Sequence, residues 1–211
     1  WSGNEAAYAE ARFDRYSDYT WQEGAYDTDW EKIALVDGYT RDADISMSGG
    51  SEKTNYYFSV SYNDTKGIVR GNELTKINAR TNVSHSFSNK FSLSMNLGFN
   101  RSKIDRIAND NAFVTPLQAI AQAPISPAFL DGEPFSNTVY ANFLLEDKYG
   151  FFTTIIRRAT GKISGDYKII PNLKFTSSFA FDSYAQTEDQ FRGSKTPFQS
   201  TNGEGTATNV Q

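Results

Sequence analysis

At 211 residues the chain is long enough to bury a core as one domain, and its formal net charge of -4, with 21 basic residues scattered among 25 acidic ones, offers no electrostatic footprint for nucleic acid. It has no cysteine, which removes disulfides, thiolate metal sites and cysteine nucleophiles together, and no run of about 18 apolar residues, which removes a transmembrane helix. Aromatics make up 15% of the residues, 16 of them Phe and 12 Tyr, amid abundant Gly, Ser, Thr and Asn, a mixture that favours strands and turns over helices.

In chain order, residues 1 to 39 carry no strand period but many aromatics, and they enter a first strand from Arg41 to Gly49 in which Ala43, Ile45 and Met47 share one parity. Tyr56, Phe58, Val60 and Tyr62 then alternate with Tyr57, Ser59, Ser61 and Asn63. A weaker dyad follows in Ile77, Ala79, Thr81, Val83, His85 and Phe87. The clearest one is FSLSMNLGFN, which puts Phe91, Leu93, Met95, Leu97 and Phe99 on one face and Ser92, Ser94, Asn96, Gly98 and Asn100 on the other. Two further strands read from Ala159 to Ile169 and from Leu173 to Ser183, the last with Phe175, Phe179 and Phe181 on one side. Each strand is roughly ten residues, the length that crosses a bilayer when tilted and longer than soluble strands average. From Phe91 to Phe99, eight steps of about 3.3 Å at a tilt near 40° give about 20 Å of height, close to the apolar band of an outer-membrane barrel. Aromatics near the strand ends suit the interfacial girdles.

Short and long connections alternate. Gly49 to Lys53, Ser88 to Lys90 and Ile170 to Asn172 are tight, whereas Asn63 to Thr75, residues 102 to 157 and the stretch from residue 185 are long. Barrels of the outer membrane pair short periplasmic turns with long extracellular loops. The expected organisation is therefore an extracellular loop over 1–39, four barrel strands over 40–101, a long extracellular loop over 102–157, a barrel hairpin over 158–184 and an extracellular loop over 185–211. Inside the long loop, Thr115-Pro116-Leu117-Gln118 carries helix-start chemistry and predicts a short helix over 116–123, ended by Pro124. The expected fold class is all-β: an antiparallel up-and-down transmembrane β-barrel section of about six strands, belonging to a longer protein.

The segment Asp27-Thr28-Asp29-Trp30, followed by Ile45-Ser46-Met47-Ser48-Gly49-Gly50-Ser51-Glu52-Lys53-Thr54-Asn55-Tyr56-Tyr57, resembles the SusC/RagA-type TonB-linked transporters. Ser61-Tyr62-Asn63, Gly67-Ile68-Val69-Arg70-Gly71 and Asn78-Ala79-Arg80-Thr81-Asn82 continue the likeness in order, which covers residues 27 to about 100 on these motifs and residues 101 to 184 by pattern. The resemblance implies a plugged 22-stranded barrel in the bacterial outer membrane, importing an oligosaccharide or peptide too large for a porin. It also implies partners: a SusD-like surface lipoprotein over the mouth, TonB acting through a plug region that this sequence does not show, the remainder of the barrel, and outer-membrane lipid.

Residues for enzymatic chemistry are sparse. His85 lies beside Phe87 on the outward parity, where an interfacial ring is at home, and no Ser-His-Asp set assembles around it. Asp105, Asp110, Asn109 and Asn111, and Asp27 with Asp29, have oxygen ligands but not calcium-loop spacing, and read as solvated carboxylates paired with residues such as Arg101 and Arg106. No catalytic, cofactor or metal site is assigned. The candidates that remain are lipid-facing residues, namely Tyr56, Phe58, Val60, Tyr62, Phe91, Leu93, Met95, Leu97, Phe99, Phe175, Phe179 and Phe181, and ligand-stacking residues Tyr16, Tyr19 and Trp21 in the aromatic N-terminal loop, which also holds Trp1, Tyr8, Phe13, Tyr26 and Trp30. Two function classes stay open: a transporter wall, or a non-transporting surface module in which the same apolar face packs on a second sheet.

Overall fold

The computed structural model describes residues 25–107, 115–197 and 205–210. Its body is one sheet in the order β1-β2-β3-β4-β7-β8-β9, with every neighbouring pair antiparallel. The strands are β1 (Tyr39–Gly50), β2 (Thr54–Lys66), β3 (Glu73–Ser86), β4 (Phe91–Arg106), β7 (Gly150–Ile170), β8 (Leu173–Arg192) and β9 (Thr206–Val210). A separate ribbon of β5 (Phe129–Leu130) and β6 (Glu133–Pro134) lies in the long loop.

Two of the tight turns use the same device. Ser51 Oγ accepts from the amides of Lys53 and Thr54 at 3.3 and 3.2 Å, and Ser88 Oγ accepts from those of Lys90 and Phe91 at 3.2 and 3.1 Å. A short hydroxyl side chain that satisfies turn amides fixes the reversal, and so the register of both hairpins, without a long loop. These turns and the third, between β7 and β8, lie at one end of the sheet; the long connections lie at the other.

At that second end the loops build their own core. Helix α1 (Trp30–Ala34) starts at Asp29, whose carboxylate accepts from the Lys32 amide at 2.9 Å, and α2 (Phe143–Tyr149) starts at Asn142, whose side chain accepts from the Leu144 amide at 3.1 Å. Trp30, Ala34, Ile107, Ala119, Ala128, Phe143 and Leu144 pack into one buried cluster. Trp30 Nε1 donates to the Ala123 carbonyl at 3.2 Å, and the Thr28 amide to that of Pro124 at 2.8 Å. Asn142 Nδ2 donates to the carbonyls of Ala128 and Phe135, so one buried amide caps a helix and ties two loop segments. Gly71 adopts φ +77°, and a Cβ there would sit 2.4 Å from Ile107 Cγ1, so the turn after β2 reaches this core only as glycine.

Several expectations shift in detail. The sheet has seven strands, not six. β7 begins earlier than expected, at Gly150: Phe152 and Thr154 are buried on the face opposite the apolar band, beside Arg106, which mixes apolar residues onto both parities and hides the dyad. β8 runs on to Arg192 through Gln186 to Gln190, where neither face is apolar and no period shows. The expected helix over 116–123 is a 3-10 helix, Pro116–Ala121; Pro116 sits at its start as foreseen, but Thr115 makes no side-chain cap.

Candidate functional site

The register resolves the wall into two unlike faces. On one face the cross-strand rows read, from the short-turn end upward, Phe91-Tyr167-Phe175; Gly49-Tyr56-Val83-Met95-Ile163-Phe179; Met47-Phe58-Thr81-Leu97-Gly161-Phe181; and Ile45-Val60-Ala79-Phe99-Ala159-Ser183. Much of this surface is open: Ile45 is 79% exposed and Phe179 69%. All twelve residues singled out as lipid-facing share it. Tyr56, Met95 and Leu97 are half-buried by their neighbours and the other nine are exposed. Phe87 stacks on Phe91 at 5.3 Å and meets His85 edge-on at 4.5 Å, while His85 Nδ1 is 2.7 Å from Thr54 Oγ1, so the lone histidine belongs to the lower aromatic row. Gly161 gives room to Phe181, whose ring carbons would lie 2.1 Å from a Cβ at that position. Ile163 and Tyr167 are members that the sequence reading did not name; Ala159, Gly161 and Gly165 interrupt the apolar parity of β7 and blur it.

Through the middle of the sheet the opposite face is polar, and nearer the long-connection end Leu74, Ile104, Phe152 and Ile156 join it. Ser102 Oγ donates to Asn100 Oδ1 at 3.3 Å, Asn100 Nδ2 to Asn78 Oδ1 at 2.7 Å, and Asn78 Nδ2 to Ser61 Oγ at 3.0 Å, a chain that crosses three strands. Asn63 Nδ2 donates to Asp42 at 2.7 Å, and Arg158 makes a two-point pair with Asp182 at 2.9 and 2.5 Å. Arg80, Asn96 and Lys162 line the same concave patch. Side chains that satisfy one another on an open sheet surface suit water, not hydrocarbon.

The acidic candidates do other work. Asp29 caps α1. Asp105 does not pair with Arg101; it takes Lys103 Nζ at 2.7 Å and Thr153 Oγ1 at 2.7 Å, because Lys103 lies two residues away on the same face and Thr153 lies directly opposite. Arg106 points the other way, to Glu188 and Thr154, with its guanidinium 4.3 Å over the Phe152 ring. Among the described residues no group of three potential ligands could hold a metal ion. Asp110, Asn109, Asn111 and the stacking candidates Tyr16, Tyr19 and Trp21 lie outside the described residues. Trp30 is structural, 3% exposed.

Beyond the wall, Glu133 gathers the Tyr149 hydroxyl and, at 2.9 Å, Lys148 Nζ, which together hold its carboxyl below the ordinary range. Glu146 is the opposite case. It is 2% exposed, with Arg192 at 3.9 Å, and burial pushes its carboxyl above the ordinary range against the pull of that cation.

No family model matches the chain. It is 28% identical over 180 residues to TonB-dependent receptor P26 of Formosa agariphila, covering 80% of this chain and 17% of the relative, and 25% identical over 150 residues to TonB-dependent receptor SusC of Bacteroides thetaiotaomicron, covering 71% of this chain and 14% of that protein. A solved structure of the RagAB peptide importer in a 'closed-closed' state superposes with a TM-score of 0.67 at 20% identity, over 94% of this chain and 24% of that one. The chain has the fold of a section of these structures, and in sequence it is similar to the SusC/RagA-type TonB-dependent receptors. It spans less than a fifth of the length of these curated relatives. The 'open-open' RagAB importer superposes as well, with a TM-score of 0.66 at 20% identity over 92% of this chain and 23% of that one.

Proposed function

We propose that the chain forms part of the wall of a TonB-dependent transporter that imports an oligosaccharide or peptide beneath a SusD-like surface lipoprotein, with TonB acting through a plug elsewhere in the protein. One observation carries the proposal: a single sheet bears a continuous polar network on one face and, at the same height, an apolar band edged by aromatics on the other. A wall between lipid and a wet lumen needs that division. The twelve apolar candidates then contact acyl chains, the short turns lie in the periplasm, and residues 102 to 157 lie outside the cell. Nitroxides at Met95 and Leu97 in the complete transporter should be accessible to oxygen and shielded from a water-soluble relaxer, with the reverse at Asn96 and Asn100. Equal accessibility at all four sites would sink the wall assignment and favour a surface module.

Tyr16, Tyr19 and Trp21 are proposed to stack on the nutrient at the mouth. Replacing the three by Ala should lower affinity about tenfold to a hundredfold if the rings form a binding hot spot. Surface abundance and lipoprotein association should stay normal. Unchanged affinity would leave that loop a packing role.

A further inference from the structure

Above the apolar band, the next outward row reads Ala43-Tyr62-Ile77-Arg101-Arg157-Ala185. Arg101 on β4 and Arg157 on β7 are direct cross-strand partners. Side chains so placed have Cβ atoms only about 5 Å apart, where like charges destabilise a sheet. Their lateral neighbours in the row, Ile77 and Ala185, are uncharged, and the row below contains Ala79, Phe99 and Ala159. The nearest carboxylate further up β4, Asp105, is already occupied by Lys103 and Thr153. Neither arginine makes a hydrogen bond or ion pair with the described residues. Other arginines of the chain do: Arg70 with Asp147, Arg158 with Asp182, Arg192 with Glu146. Two guanidinium groups side by side, unneutralised by the described residues, call for an anion from outside them.

Their height says which anion. Arg101 is ten positions along β4 from Phe91, about 33 Å of strand and about 25 Å of height at a tilt near 40°, which is the full apolar band and the start of the headgroup layer. We infer that Arg101 and Arg157 form a binding site for the phosphate of an anionic membrane-lipid headgroup, with Phe99 and the small side chains Ala79 and Ala159 beneath it receiving the acyl chains. This inference rests on the wall assignment proposed above. Paired planar guanidinium groups match phosphate oxygens bidentately, and an ammonium matches them less well. A bound phosphate also converts the repulsion between the two arginines into mutual attraction.

The test uses the complete transporter, delipidated in a zwitterionic detergent and titrated with phosphatidic acid or phosphatidylcholine while bound lipid is counted by native mass spectrometry. Wild type should prefer phosphatidic acid, and the double variant Arg101→Gln with Arg157→Gln should lose roughly tenfold in affinity for it, since charged hydrogen bonds are removed. Arg101→Lys with Arg157→Lys should keep part of the preference. Because the Gln variant also removes the like-charge contact, its thermal midpoint without lipid should be no lower than that of wild type, whereas only wild type should gain on adding phosphatidic acid. Equal phosphatidic acid binding by wild type and the Gln variant would overturn the site; so would displacement by millimolar inorganic phosphate, which would make it a free-anion site. A nitroxide at Leu97 in the same preparation separates the two levels. If it senses hydrocarbon while the lipid preference is absent, the site fails and the wall stands; if it senses water, the wall assignment itself has failed.

Discussion

Leu97→Arg should be among the most damaging single changes on the outward face, and its cost can be worked from its height. Leu97 is six positions above Phe91 and four below Arg101 on β4, about 15 Å above the lower aromatic row and about 10 Å below the upper basic one at a tilt near 40°, hence within about 3 Å of the midplane of the band. An arginine at that depth on a barrel costs about 2–4 kcal/mol, falling to about 0–1 near either interface. Steric conflict adds little, because the cross-strand neighbours of Leu97 are Thr81 and Gly161. Asn96→Arg, one residue away but on the polar face, meets Lys162 directly across the strand pair and should cost no more than about 1 kcal/mol. The measurement is a urea titration of the complete protein folded into phosphatidylcholine vesicles, with the folded fraction read from its heat-dependent gel mobility. An Asn96→Arg variant that loses as much stability as Leu97→Arg, or more, would refute the division of the two faces.

Two further outcomes concern the loop core. Trp30→Ala removes a nearly fully buried indole and should cost about 3–5 kcal/mol locally, seen as faster hydrogen exchange at the Thr28 amide with wall strands unchanged; exchange equal to wild type would mean that α1 is not anchored by Trp30. Burial raises the Glu146 carboxyl above its ordinary value, so its stabilising contribution is full below the ordinary carboxylate value and is lost as pH rises through the raised one. Exchange protection of α2, corrected for intrinsic rate, should therefore be greater at pH 4 than at pH 8, and Glu146→Gln should flatten that slope; an unchanged slope in the variant would assign it to other groups.

Legibility in the sequence followed the environment on the two sides of each strand. The stretch of β4 from Phe91 to Asn100 could be read residue by residue because there one face is uniformly apolar and the other uniformly Ser, Asn and Gly, so its period is undiluted. The start of β7 was hidden because Phe151, Phe152, Ile155 and Ile156 are apolar on both parities, with Phe152 buried under the Arg106 guanidinium on the face opposite the apolar band. The top of β8 was hidden for the converse reason, being polar on both sides. Helices α1 and α2 have five and seven residues, too short for a period, and their only local signs were the capping Asp29 and Asn142. The proximity of Arg101 to Arg157 depends on pairing across a connection of 43 residues between β4 and β7, and register over such a distance follows from the sheet, not from local chemistry.

Wall and loops also differ in how they are held, which makes these perturbations separable. β1 has a neighbour on one side only, and below Glu188 the long strand β8 is paired only with β7, so both present unpaired backbone amides and carbonyls along much of their length. Hydrocarbon cannot hydrogen-bond these groups, and an open edge within a bilayer leaves each of them costing several kcal/mol. The wall therefore holds its shape only as part of a closed ring, and a defect such as Leu97→Arg is felt by the whole barrel. The loop core instead closes on itself through Trp30, Phe143, Leu144 and the Asn142 amide. Arg70 with Asp147 ties α2 to the turn after β2, and Arg192 of β8 with Glu146 ties it to the wall. Loosening it should free the segments at the mouth while the strands beneath remain paired, the behaviour expected of a rim that moves over a fixed barrel.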